Sequence, residues 1–294
     1  MNLRKRISDS NKQPVKNYFD EYCRIESMFT DVKSIGNYDQ FGHRKMPYFT
    51  LADYLNELQF NNWNLRGRYI SLEDMRLGLK ITKEDMETNF SNGKFLDFLQ
   101  FILNCTFRIQ ATLKKCSSVY LAEEHLPNMI IDNTKFVLND MNYEINLDKS
   151  IQEIFIIEKN IYSTAVSEVH EDIKDSIIEY RRHDLEGDIK RKTEILCTLW
   201  KKYEPIRSKL KANNLTGLDD NIGFIFNEVV VRHNNIEGPK ANKAAQSLSP
   251  KELEIWADRS YDMFLLAMLH FEYFSYKKEI EDLVVLKNSK GGTS

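Results

Sequence analysis

One short segment of the chain gathers the residue types that phosphodiester chemistry uses: Val229-Val230-Val231-Arg232-His233-Asn234-Asn235-Ile236-Glu237-Gly238. A guanidinium holds phosphate oxygens through its planar fork, and an imidazole near its free pKa moves a proton at neutral pH. The amides of Asn234 and Asn235 add hydrogen-bond donors, and Glu237 supplies a carboxylate as a second base. A purely local reading fits the same residues. Arg232 and His233 sit well by the negative end of a helix, and an asparagine supplies the left-handed residue that stops one.

Other chemistries leave little trace. Starting a calcium loop at Asp184 requires Gly at its sixth place and Glu at its twelfth, where the chain has Ile189 and Ile195. No two histidines stand at i, i+4, so a zinc helix is absent, and no metal or cofactor is expected. Phosphate loops of the G-x-x-x-x-G-K-[ST] and G-x-G-x-x-G types are missing, as is a G-x-S-x-G elbow. The charges around His170, Asp172, Glu179, His183 and Asp188 lie off the apolar stripe and read as a solvated helix face and turn. Cys23, Cys105, Cys116 and Cys197 form no C-x-x-C pair and read as buried, reduced thiols.

The elements that position the segment follow from periodicity. Tyr18, Tyr22, Ile25, Phe29, Val32 and Ile35 predict a helix ending at Gly36. A short helix is expected after Thr50, and two more after the hydroxyls of Ser71 and Thr82, each with an acid three places on. A strong fourth runs from Phe95 to Leu113. Residues 129–131, 135–138 and 141–145 read as short β runs in a hairpin-like connector. Beyond Lys149 four helical stripes follow. Ile151, Ile154, Ile157, Ile161, Ala165, Val169, Ile173 and Ile177 make the first, and Ile189 to Leu210 the second, interrupted at Pro205. Ile222 to Val230 make the third. The fourth opens at Ser249-Pro250-Lys251-Glu252 and carries Trp256, Ser260, Met263, Phe264, Ala267, Phe271 and Phe274 on one face. The expected fold is mainly α: a helical N-terminal domain (1–124), a hairpin-like connector (125–148), an antiparallel four-helix bundle (149–288) and a disordered tail (289–294).

A bundle whose third helix ends in Val230-Val231-Arg232-His233-Asn234-Asn235 resembles the HEPN superfamily, in the form found in C-terminal modules of bacterial abortive-infection proteins. The resemblance covers about residues 149–288. It implies a homodimer in which two R-x4-6-H motifs face each other, and metal-independent cleavage of RNA in phage defence or a toxin-like role. The chain departs from that motif: Ile236, Glu237 and Gly238 stand four to six places past Arg232, and no histidine is among them. Arg232 alone carries over, with His233 or Glu237 left to act as base.

Composition bounds the rest. The 294 residues are 42% apolar with 6 Pro and 11 Gly, which suits a folded core. With 41 basic against 44 acidic residues the net charge is −3, so any RNA contact is local. Candidate cations are Arg181-Arg182, Lys190-Arg191-Lys192, Lys201-Lys202, Arg207, Lys209, Lys240 and Lys243. The polar start and the lack of an apolar span of about 18 residues point to a cytoplasmic protein without a membrane segment. Two further readings stand beside an RNA-acting dimer: a non-catalytic module whose last-helix aromatic face binds a second copy or a defence partner, and a nucleotide-sensing regulator.

Overall fold

The structure, a computed structural model, describes residues 17–228 and 247–290. It is mainly helical with two small antiparallel strand pairs, and it divides into two compact units, 1–159 and 160–294. None of its described helices is long and apolar enough to cross a membrane.

In the first unit, α1 (Tyr18–Thr30) opens on Asn17, whose side chain accepts from the Phe19 amide, and buries Tyr22, Ile25 and Phe29. It stops short of the expected Gly36. Ile35 instead belongs to β1 (Ile35–Asn37), which pairs with β2 (Val119–Leu121) across a long separation in sequence that periodicity does not see. Three short helices follow: α2 (Leu51–Tyr54), α3 (Leu72–Leu79) and α4 (Lys83–Thr88). The hydroxyl expectations hold: Thr82 and Asp85 cap reciprocally, and Ser71 accepts from the Asp74 amide at 3.1 Å. The unit is organised on α5 (Asn92–Leu113), whose Phe95, Phe98, Leu99, Ile102, Leu103, Cys105 and Ile109 are all buried. A helix apolar on nearly every side belongs at the centre of a core.

Residues 126–140 correct the expected β runs. They form α6 (Leu126–Asp140), with Pro127 in the first turn and Ile130, Thr134, Val137 and Leu138 buried at helical spacing. The hairpin lies further on, between β3 (Tyr143–Asp148) and β4 (Glu153–Glu158), so Ile154 and Ile157 are strand rather than helix residues. The outer edge of β4 is closed by side chains of α5. Asn104 donates to the Ile154 carbonyl and accepts its amide, both at 2.8 Å, and Gln100 accepts the Ile156 amide at 2.9 Å. Two side chains thereby take the place of a third strand on an otherwise open edge.

The second unit contains α7 (Ile161–Val169), α8 (Lys174–Tyr180), α9 (Ile189–Tyr203), α10 (Arg207–Ala212), α11 (Thr216–Glu228) and α12 (Pro250–Lys290). The first stripe is therefore two helices and a strand. His170 ends α7, and a 3-10 turn at Glu171–Ile173 leads into α8. Pro205 sits in the 3-10 turn Glu204–Ile206 between α9 and α10, as its missing N–H requires. The core joins Ile177, Leu196, Leu199, Trp200, Tyr203, Leu210, Ile222, Phe226, Phe264 and Met268. The aromatic face of α12 read as a partner surface is occupied inside this unit: Phe264 and Ala267 are fully buried. Of the cysteines, Cys105 is buried, Cys23 is exposed, and Cys116 and Cys197 are intermediate.

Candidate functional site

Arg232, His233, Asn234, Asn235 and Glu237 lie outside the described residues, as do Lys240 and Lys243. What is described is the helix that leads to them. Ile222, Ile225 and Phe226 of α11 are buried, and the Phe226 ring lies 4.8 Å from that of Trp200. Glu228, the last described residue of α11, precedes Arg232 by one helical turn of sequence.

Two ionic clusters fix the second unit. In the first, Asp219 of α11 is fully buried and receives Arg207 Nε (2.7 Å) and Nη2 (3.0 Å), the Tyr203 hydroxyl (2.7 Å) and Lys211 Nζ (3.2 Å). Burial alone would raise its pKa, but the bonds from Arg207, Tyr203 and Lys211 outweigh burial and bring it down to about 2. Burial and the bond to Asp219 push the Tyr203 phenol up. A carboxylate so fully engaged holds helices together and is a poor proton acceptor.

In the second cluster Lys192 of α9 is buried, with Nζ 2.9 Å from both Glu254 Oε1 and Asp258 Oδ1 of α12. Tyr180 donates to the same Asp258 oxygen at 3.0 Å, its ring stacks on Tyr261 at 4.2 Å, and the Tyr261 hydroxyl reaches Ser163 at 2.9 Å and the Ile177 carbonyl at 3.0 Å. Glu254 also accepts the Gly187 amide at 2.7 Å. Burial disfavours the ammonium, yet the bonds to Glu254 and Asp258 prevail and the Lys192 pKa is raised.

Both histidines read as solvated are buried. Burial pushes His183 down to about 4. Burial also lowers His170, against the opposing pull of Glu272, whose Oε1 lies 3.1 Å from its Nε2. Other acids of the charged turn are paired: Asp172 with Lys202 (3.0 Å), Glu179 with Arg191 (2.6 Å), and Asp184 with Arg182 (2.5 Å). The candidate RNA cations Arg182, Arg191, Lys192, Lys202 and Arg207 are thus all engaged inside the unit, and Lys209 lies 4.8 Å over the Phe271 ring. Among the described residues no group of three or more His, Cys, Asp or Glu is placed to hold a metal ion.

The first unit has a cavity of about 210 Å³ lined by Phe29, Ala52, Asp53, Leu72, Glu73 and Arg76, among others. Arg76 is buried and its Nη1 bonds Glu26 Oε1 at 2.7 Å, while its Nε and Nη2 and Glu26 Oε2 have no hydrogen-bond partner. With Asp53 and Glu73 on its lining and Glu26 on the arginine, the cavity repels a free anion.

Sequence reading missed the second cluster because α9 and α12 lie far apart in the chain, and the first because periodicity does not show that Arg207 of α10 and Asp219 of α11, 12 residues apart, come together. A signal existed for one of them: Glu254 and Asp258 stand at i, i+4 beside the apolar stripe of the last helix. Comparison of the chain with protein-family models, with curated proteins and with solved structures finds no match in any of the three.

Proposed function

We propose that the chain acts on RNA as a symmetric dimer through Arg232, His233, Asn234, Asn235 and Glu237, in a phage-defence or toxin-like role. The observation that carries this reading is the sequence itself: a guanidinium, an imidazole and two amides follow one another in sequence from the fourth residue past Glu228, the described end of α11, a helix pinned by Asp219 and Phe226. His233 takes the proton of a ribose 2′-hydroxyl, and that oxygen attacks the adjacent phosphorus. The 5′-oxygen leaves and takes a proton from solvent, giving a 2′,3′-cyclic phosphate. Arg232 stabilises the charge gathered on the phosphorane, and Asn234 and Asn235 orient its oxygens.

The test is incubation of the purified chain with a mixed cellular RNA pool in EDTA, beside Arg232→Ala and His233→Ala at matched folding. Cyclic-phosphate ends from the parent, lost in both variants, are expected. Absence of cleavage by the parent overturns the catalytic reading. A non-catalytic interaction module is the second reading, and one observation favours it: many cations of the second unit that could meet phosphate are paired within it.

A further inference from the structure

The last helix carries a second apolar stripe that its own unit covers only at Leu269, half-buried against the core. Along α12 the residues Leu266, Leu269, Tyr273, Tyr276, Ile280 and Leu283 follow one another at spacings of three and four. Leu266 is 46% exposed, Tyr273 53%, Tyr276 56%, Ile280 53% and Leu283 64%. The core-facing stripe through Phe264, Met268, Phe271 and Phe274 points elsewhere on the helix and turns polar at Lys278 and Asp282. From Ser275 to Lys287 every residue is exposed, although α12 continues as helix to Lys290. A lone helix with this much apolar surface in water is marginal, and a seam alternating three and four is what two supercoiled helices bury.

We propose that this stripe is the seam of a parallel, two-stranded coiled coil between the α12 helices of two copies of the chain. Leu266, Tyr273, Ile280 and Lys287 occupy the a positions, and Leu269, Tyr276 and Leu283 the d positions. The flanking charges select the occupant and its direction. In the parallel pair Glu272 (g), whose Oε1 also meets His170 of its own unit, faces Lys277 (e) of the other copy, twice by symmetry. An antiparallel pair centred on the exposed stretch would set Lys277 against Lys277 and Glu279 against Glu279 of the other copy. Shifted towards the N-terminus, it would set Glu272 against Glu279. Lys287 at the last a position favours two strands over three. The proposal draws on the dimer of the RNA reading and on none of its chemistry.

The experiment is sedimentation equilibrium of the full chain at micromolar concentration, beside Ile280→Lys, Leu283→Lys and Arg232→Ala. The parent and Arg232→Ala are expected at twice the chain mass, and both lysine variants at the single mass with unchanged unfolding of the core. A monomeric parent, or a dimer that survives both lysine substitutions, overturns the proposal. Direction is read from Ile280→Cys in a Cys23→Ser background. Oxidation links position 280 to itself in the parallel pair, and a failure to link while the dimer persists overturns that arrangement. Co-sedimentation of a monomeric parent with anionic phosphatidylserine vesicles would assign the stripe to a lipid surface instead. RNA cleavage by a dimer that survives both lysine substitutions leaves the RNA reading standing while the seam falls.

Discussion

Arg207 meets Asp219 with two parallel bonds, Nε to Oδ1 at 2.7 Å and Nη2 to Oδ2 at 3.0 Å, and so ties α10 to α11. The same guanidinium passes Gly223 so closely that a Cβ there would fall 3.2 Å from its Nη2, and it lies 5.5 Å over the Trp200 ring. The helix leading to Arg232 is held by this pair, with consequences for stability.

Asp219→Ala should destabilise the fold by about 2 kcal/mol, because Tyr203 loses its buried acceptor while Arg207 and Lys211 still reach water. The acid limb gives the sign. Asp219 is held at about 2 when folded against about 3.9 unfolded, so its contribution is complete above about pH 4 and is lost as pH falls through about 2. Urea unfolding followed from pH 5 to pH 2 should show a shallower fall for the variant.

His183 works at a higher pH. Burial holds it at about 4 when folded, against about 6.5 unfolded, so the fold prefers the neutral ring. Its contribution is complete above pH 6.5 and declines as pH falls to about 4, by about 2 kcal/mol at pH 5. Burial lowers His170 also, adding to the same slope. His183→Gln should lose less stability than the parent between pH 7 and pH 5 in urea midpoints.

Lys192→Met should cost about 3 kcal/mol, since it leaves the Glu254 and Asp258 carboxylates without their shared ammonium. Adding Glu254→Gln removes one stranded charge and keeps an acceptor for the Gly187 amide, so the double variant should recover part of the loss. Equal destabilisation of both variants in thermal melts would contradict this coupling.

Gly78→Ala tests a close approach. Alanine favours a helix interior over glycine by about 1 kcal/mol, but here its Cβ would lie 2.5 Å from the Tyr69 ring. Net destabilisation is expected, reversed to a gain when Tyr69→Ala is added. Chemical unfolding of the two variants against Tyr69→Ala alone decides it.

If His233 is the base, the pH-rate profile of RNA cleavage should bend near 6.5. A profile flat between about pH 5 and 8 assigns the proton transfer to another group.

Much of the helical architecture was legible along the chain. Thr82 with Asp85, Ser249 with Glu252, and Pro205 act through neighbours within four residues, so sequence alone places their helix boundaries. The segment Arg232 to Glu237 was likewise legible as chemistry, because residue type and spacing are all that such a reading needs.

Ile151, Ile154, Ile157 and Ile161 satisfy helical spacing, and only the pairing of Ile154 with Leu147, together with Asn104 and Gln100 on the open edge, makes Glu153–Glu158 a strand. The last helix has two apolar stripes, of which the sequence reading names the one through Phe264 and Phe271 and not the one through Tyr276 and Ile280. Packing against Trp200 and its neighbours buries Phe264 and leaves Tyr276 and Ile280 exposed. Capping and periodicity are local interactions written in adjacent residues, whereas strand partners, buried ion pairs and the choice of a helix face depend on groups far away in sequence, and only the tertiary structure decides those.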